Sequence, residues 1–279
     1  MGRPWYPGHM AAALRAVREN ARLVDVVVEV VDARGPETSR DPALSRVIGD
    51  KPRVIGMARA DLADPPITDR WVKWFRSQDA LAFPVDALTG AGVRDLLRGC
   101  REALGEREAR LSRGGRPRPL RIMVAGVPNV GKSSLINRMT SSGSARTGAA
   151  PGITRGKQWI RAGEGIEVLD LPGILKHRET GAGAQVKLAL MGIIPETTYD
   201  TYEMGLEAVA LLATLRPEML TAVGVGDPAA PPELIIDELG RKRGFLMRGG
   251  EVDRGKAALW MIKQLRDGRA GRFSLETPS

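Results

Sequence analysis

Residues 120–138 read LRIMVAGVPNVGKSSLINR, and this stretch decides the fold. The apolar run Ile122-Met123-Val124 predicts a buried strand, and Ser134–Met139 predicts a helix. Between them, Gly126-Val127-Pro128-Asn129-Val130-Gly131-Lys132-Ser133 matches G-x-x-x-x-G-K-S in the strand–turn–helix context that gives the motif its meaning. Gly126 and Gly131 let backbone N–H groups converge on one point, an anion-binding nest. The helix N-terminus adds its partial positive charge there. Lys132 is long enough to reach the β- and γ-phosphates of a nucleotide, and the Ser133 hydroxyl is a natural Mg²⁺ ligand. Asn129, Val130, Gly131, Lys132, Ser133 and Ser134 are therefore expected to face the bound nucleotide.

Upstream, the β-branched run Val24–Val31 reads as a buried parallel strand. It ends in the turn Asp32-Ala33-Arg34-Gly35-Pro36. Strands are also expected at Arg53–Met57 and Ala80–Val85, ending in Ala58-Arg59-Ala60-Asp61 and Asp86-Ala87-Leu88. Helices are expected at Ala11–Arg22, Asp41–Ile48, Thr68–Ser77 and Val93–Leu104. Gly105–Pro119, with paired glycines, prolines and several arginines, reads as an exposed basic connector. Downstream, the polar, Gly-rich stretch Ser141–Gly156 is too long for an idle turn. Lys157–Arg161 and Ile166–Leu169 pair as strands, the latter running into Asp170-Leu171-Pro172-Gly173. The expected architecture is α/β: a mainly parallel six-stranded sheet with flanking helices over residues 1–176, then an all-α part over 177–279. In that second part, helices are expected at Thr201–Leu215, Pro232–Leu239 and Asp253–Leu265.

Composition bounds the function. The 279 residues suit about two domains. A net charge of +9, with 42 basic residues, favours an anionic partner, nucleic acid or a membrane surface. The bases are segregated: residues 241–272 hold ten basic and three acidic residues, whereas acidic residues dominate 177–240. Glycines at 244–250, beside those bases, would let a backbone approach phosphates. Cys100 is alone, so no internal disulfide is possible. No apolar run is long enough to span a bilayer, the N-terminus lacks a signal-peptide core, and Tyr6 stands where a myristoylation signal has Ser or Thr. A cytoplasmic protein is expected, without membrane attachment.

A nucleotide triphosphatase needs more than a phosphate loop. Asp170, at a strand end, fits a second Mg²⁺ ligand. Thr154 fits a hydroxyl ligand from a loop that orders around the γ-phosphate, and the Gly173 N–H is placed to sense that phosphate. Base recognition in GTPases uses Asn-Lys-x-Asp at a strand end, normally after the D-x-x-G strand. Nothing after residue 176 fits, but Ala58-Arg59-Ala60-Asp61 and the Asp86-Ala87 turn precede the phosphate loop. The base-binding half comes first.

This order of motifs resembles the circularly permuted GTPases. The particular motifs resemble the ribosome biogenesis GTPase A (YlqF) family. They are Trp5-Tyr6-Pro7-Gly8-His9-Met10, Val31-Asp32-Ala33-Arg34, Gly126–Ser133, Pro151-Gly152-Ile153-Thr154, Asp170–Gly173 and Gly240-Arg241-Lys242-Arg243-Gly244. The resemblance implies GTP/GDP and Mg²⁺ as ligands, a precursor of the large ribosomal subunit and its rRNA as partners, and a helical domain that touches RNA. The free protein is expected to be a monomer. The resemblance also implies that Asn129 ligates K⁺. It assigns His9 to the water-orienting role that Ile174, just after D-x-x-G, cannot fill. Catalysis would thus rest on His9, Lys132, Thr154 and Gly173.

One departure stands out. Ala58 occupies the asparagine position and cannot make that side chain's hydrogen bonds, a loss of about 1–3 kcal/mol of binding. Asp61 can still accept from the guanine N1–H and 2-amino group, and Arg59 can lay its stem over the base. Weaker affinity with selectivity retained is expected. One rival reading stays open: Ala58 and Ile174 fit a nucleotide-dependent binding module with little catalysis. A membrane-associated GTPase would also use a basic surface, but the lack of lipidation signals and of an apolar amphipathic segment argues against it.

Overall fold

The computed structural model describes residues 15–105, 118–141, 159–162, 165–169 and 183–279. His9, Thr154, Asp170, Gly173 and Ile174 lie outside the described residues. So do the N-terminal motif, most of the basic connector, most of Ser141–Gly156 and the boundary expected near residue 177.

Six strands form one sheet: β1 (Val26–Asp32), β2 (Arg53–Ala58), β3 (Leu81–Val85), β4 (Leu120–Ala125), β5 (Trp159–Arg161) and β6 (Ile166–Leu169). Their order is β3-β2-β1-β4-β6-β5. All neighbouring pairs are parallel except β5 with β6. Every residue of β1 is buried, as a doubly covered parallel strand requires. Glu29 within it is held by Arg40 at 3.1 Å and Arg53 at 3.3 Å, so the buried charge is paired. The strand that precedes the phosphate loop, β4, lies between β1 and β6 at the sheet's centre. The carboxyl ends of β1, β2 and β3 are in register, with Asp32 opposite Ala58 and Ala58 opposite Val85. Their turns therefore emerge along one edge, where open parallel sheets bind ligands.

The helices flanking the sheet are α1 (Pro42–Ile48), α2 (Pro65–Ser77), α3 (Val93–Glu102) and α4 (Lys132–Ser141), with a further helical stretch at 15–21. Helix α2 starts three residues earlier than the hydrophobic spacing predicts. Asp64 caps it by accepting from Ile67 N at 3.2 Å, and two prolines fill its first turn. Arg118, expected in an exposed connector, pairs with Asp25 at 2.7 Å.

Residues 184–266 form α5 (Ala184–Leu190), a 3₁₀ turn (Glu196–Thr198), α6 (Thr201–Leu215), α7 (Pro217–Ala222), α8 (Pro232–Arg243) and α9 (Arg254–Arg266). Helix α8 runs four residues past the expected Leu239 and stops at Gly244, whose φ of +69° terminates it. The short helices α5 and α7 were not expected from the sequence. One buried cluster joins the sheet residues Val28 and Val124 to Leu190, Leu212, Ile262 and Phe273. The helical part is therefore packed onto the sheet part through shared core.

Candidate nucleotide-binding site

The phosphate loop follows β4. Gly126 has φ of +154°, and a Cβ there would lie 2.6 Å from Val30 O, so only glycine fits beside β1. Asn129 takes a left-handed φ of +59°. Lys132 is buried, and its Nζ donates to Val127 O at 2.6 Å, laying the ammonium across the loop. Ser133 and Ser134 are exposed at the start of α4, whose first-turn N–H groups face the same space.

The Ala58-Arg59-Ala60-Asp61 motif follows β2. Ala58 is buried, and its Cβ lies 3.4 Å from where a Gly131 Cβ would sit. The strand order thus sets this motif against the phosphate loop, although the two are about seventy residues apart in sequence. Arg59, with φ of +57°, makes the polar link. Its Nη2 donates to Asn129 O at 3.1 Å, and its Nη1 donates to Asp32 Oδ2 at 3.1 Å and Met191 O at 2.5 Å. Arg59 is committed to bridging, and only its stem is left to cover a base. Asp61, in the turn that follows, is half-buried and its carboxylate has no hydrogen bond among the described residues. It is the acceptor available to a ligand.

Asp86 is placed differently. Its carboxylate accepts from Leu88 N at 2.7 Å and Thr89 Oγ1 at 2.5 Å, so it closes its own turn. Burial alone would raise its pKa, but these bonds and the nearby Arg138 guanidinium outweigh that and hold the carboxyl below its ordinary value. Ala87 O accepts from Arg138 Nε of α4 at 2.8 Å, which fastens the turn to the helix after the phosphate loop.

Beneath the two loops lies a buried joint. Asp32 and Arg34 are fully buried and paired at 2.9 Å. Arg34 also donates from Nη2 to Met191 O at 2.8 Å and from Nη1 to Arg266 O at 3.2 Å. Asn129 Nδ2 donates to Ile193 O at 3.0 Å. Each of these reaches from the sheet part to a backbone carbonyl of the helical part.

A model of the 50S ribosome-binding GTPase family matches residues 121–204. Ribosome biogenesis GTPase A of Priestia megaterium is 37% identical over 278 residues, spanning 99% of this chain and 96% of that protein. The chain belongs to the ribosome biogenesis GTPase A family. The Bacillus cereus protein of the same name is 35% identical over 276 residues, 98% of this chain and 93% of its own length. A crystal structure of GNP-bound YlqF from T. maritima superposes with a TM-score of 0.67 at 27% identity, covering 96% of this chain and 99% of that one.

As a member of this GTPase family, the chain binds guanine nucleotide and hydrolyses GTP. The geometry brings Ala58 up to Gly131 and Arg59 up to Asn129, with Asp61 in the turn that follows, and puts the Asp86-Ala87 turn beside α4. Arg34 of the joint and Glu276, which ties the chain's last residues to the turn after β1, were not singled out as site residues by sequence reasoning. Arg34 carried one usable signal: an arginine directly after a buried β-branched strand must find a partner, and Asp32 is two residues away. Glu276 carried none. Its carboxylate accepts from Glu37 N at 2.9 Å, Thr38 N at 3.2 Å, Lys187 Nζ at 3.2 Å and the Thr38 hydroxyl, all remote in sequence.

Proposed function

We propose that this chain is a GTP-hydrolysing assembly factor of the ribosome, acting late on a precursor of the large subunit, with hydrolysis stimulated by the particle. The observation that carries the nucleotide chemistry is the Arg59 bridge to Asn129 O. It brings a base-reading loop and a phosphate loop together in permuted order, which a phosphate-binding site alone would not need.

Within this reading, Lys132 and the Gly126–Ser134 backbone hold the phosphates, and Asp61 selects guanine. The exposed Ser133 hydroxyl at the head of α4 suits Mg²⁺, with Thr154 and Asp170 completing the ligand set. That ion would neutralise charge on the β- and γ-oxygens as hydrolysis proceeds. Gly173 senses the γ-phosphate, His9 orients the attacking water, and Asn129 offers its side-chain oxygen to K⁺.

RNA contact is assigned to the face bearing Arg241, Lys242, Arg243, Arg248, Lys256, Arg269 and Arg272, all exposed. Arg266 does not belong to that face. Its guanidinium turns inward to Glu196 at 2.8 Å and Ala189 O at 2.9 Å. The sequence division at residue 177 is kept as the proposed limit of the GTPase domain. A monomer working in the cytoplasm completes the proposal.

The test is phosphate release with and without purified large subunits, in K⁺ and in Na⁺. Subunits are expected to accelerate turnover, and His9→Ala is expected to keep GTP binding while losing that acceleration. Turnover that subunits never raise would overturn the proposal in favour of a nucleotide-gated binding module.

A further inference from the structure

Ala58 poses a structural question. The asparagine it replaces would hold the base-reading loop by its side-chain hydrogen bonds, and Ala58 has none to offer. Arg59 secures the side of the loop that precedes Asp61. The side that follows is secured by residues more than two hundred positions away. After α9 the chain turns back across the sheet part, and Phe273, Ser274 and Leu275 are buried there. Phe273 N donates to Leu62 O at 3.0 Å, one residue beyond Asp61. Asp64 N donates to Ser274 Oγ at 3.2 Å, and Leu275 N donates to Arg34 O at 2.7 Å.

The returning segment is itself fixed. Arg216 Nε donates to Ser274 O at 3.1 Å, Trp71 Nε1 donates to Glu276 O at 3.3 Å, and the Glu276 carboxylate takes the four bonds described above. Gly268 comes so close to the same loop that a Cβ there would lie 2.5 Å from Leu62 Cδ2.

We propose that residues 273–276 position the guanine-reading loop, and so act as specificity-determining residues for the nucleotide without touching it. The segment holds Leu62 and Asp64, which fixes where the Asp61 carboxylate stands. Asp61 must accept from both the N1–H and the 2-amino group of guanine, and a two-point contact fails if the carboxylate swings. Seating of this segment on the sheet part is thereby coupled to base selectivity. The inference rests on the reading of Asp61 as the guanine acceptor, and the experiment separates the two.

Dissociation constants are measured for GDP, for IDP, which lacks the 2-amino group, and for XDP, which carries a 2-oxo group instead. The variants are Ser274→Ala, a chain truncated after Arg272, and Asp61→Asn. Ser274→Ala is expected to weaken GDP about threefold to tenfold, the range of one hydrogen bond, and truncation to weaken it further. IDP should weaken less in both, so the GDP-to-IDP preference falls. A purely structural role would weaken both nucleotides by one factor. Equal loss, or no loss, in Ser274→Ala with an unchanged thermal midpoint would overturn the inference, whether or not the truncated chain folds. Asp61→Asn in the intact chain is expected to exchange GDP preference for XDP, because an amide N–H can donate to the 2-oxo group. If it does not, the reading of Asp61 fails. If it does while the preference is untouched in Ser274→Ala, only the role of the segment fails.

Discussion

Replacing Arg34 by methionine should be among the most damaging single changes outside the phosphate loop, and its cost can be worked from the joint. Arg34 is fully buried and donates to Asp32 Oδ1 at 3.0 Å, Asp32 Oδ2 at 2.9 Å, Met191 O at 2.8 Å and Arg266 O at 3.2 Å. Methionine has a comparable stem and leaves little cavity, so the packing cost is small. The electrostatic cost is not. The buried Asp32 carboxyl would be left with only the Arg34 N–H at 3.0 Å and Arg59 Nη1 at 3.1 Å as partners. Breaking one side of a buried pair typically costs about 3–5 kcal/mol. Arg266 O would lose its side-chain partner, which adds up to about 1–3 kcal/mol. Met191 O is spared, because Arg59 also donates to it.

A loss of about 4–8 kcal/mol is therefore expected, against a total of about 5–15 kcal/mol for a typical domain. Urea unfolding followed by tryptophan fluorescence measures it. The second half of the reasoning is sharper. If the penalty comes from a stranded charge, Asp32→Asn in the Arg34→Met background should recover stability, because it removes that charge. A double variant less stable than the single one would refute the argument, as would a single-variant loss below about 1.5 kcal/mol.

Gly92→Ala should destabilise the protein by more than about 3 kcal/mol, because φ is +76° and a Cβ would lie 1.9 Å from Pro84 O, an immovable strand carbonyl. Unfolding midpoints within experimental error of the parent would contradict that. Stability should also fall below about pH 4. Burial works to raise Asp25, but the Arg118 and Arg121 bonds and the Arg118 and Lys51 charges bring it below the ordinary carboxylate value. Asp86 is lowered by its turn, and Asp237 by its bonds from Arg254. Groups lowered on folding stabilise above their unfolded pKa and lose that contribution as pH drops through the folded one. A urea midpoint that stays level down to pH 3 would show that these carboxylates contribute nothing.

Local physics made much of the sheet legible. The β-branched run around β1, the glycine turn after β4 and the helical spacing of α6 report elements whose partners lie in the same few residues or on the same face. The spacing of Trp71, Trp74 and Phe75 does not report where α2 starts, because Asp64 and the two prolines after it set that end. Asp86 stands at a strand end, where base ligands are found, but Thr89 three residues on gives its carboxylate a nearer use. Arg59 was legible as a cover for the base, not as a bridge, because its acceptors are backbone carbonyls at Asn129 and Met191. Carbonyls carry no sequence signature. The same blindness hid Glu276, whose partners include two backbone N–H groups.

The permuted order has a consequence for linkage. The helical part meets the nucleotide loops at three places: Met191 and Ile193 carbonyls on Arg34, Arg59 and Asn129; Arg266 O on Arg34; and Phe273–Ser274 on Leu62 and Asp64. At the first of these, Arg59 and Asn129, assigned above to the nucleotide, are also residues that hold the helices in place; at the other two the held residues, Arg34, Leu62 and Asp64, lie beside or beneath the loops. Binding free energies linked through shared groups are reciprocal. Whatever a guanine nucleotide contributes to the stiffness of Arg59 and Asn129, the seated helices contribute to nucleotide affinity. A surface that displaced α9 or the segment after it would therefore loosen the nucleotide, without any contact to the nucleotide itself.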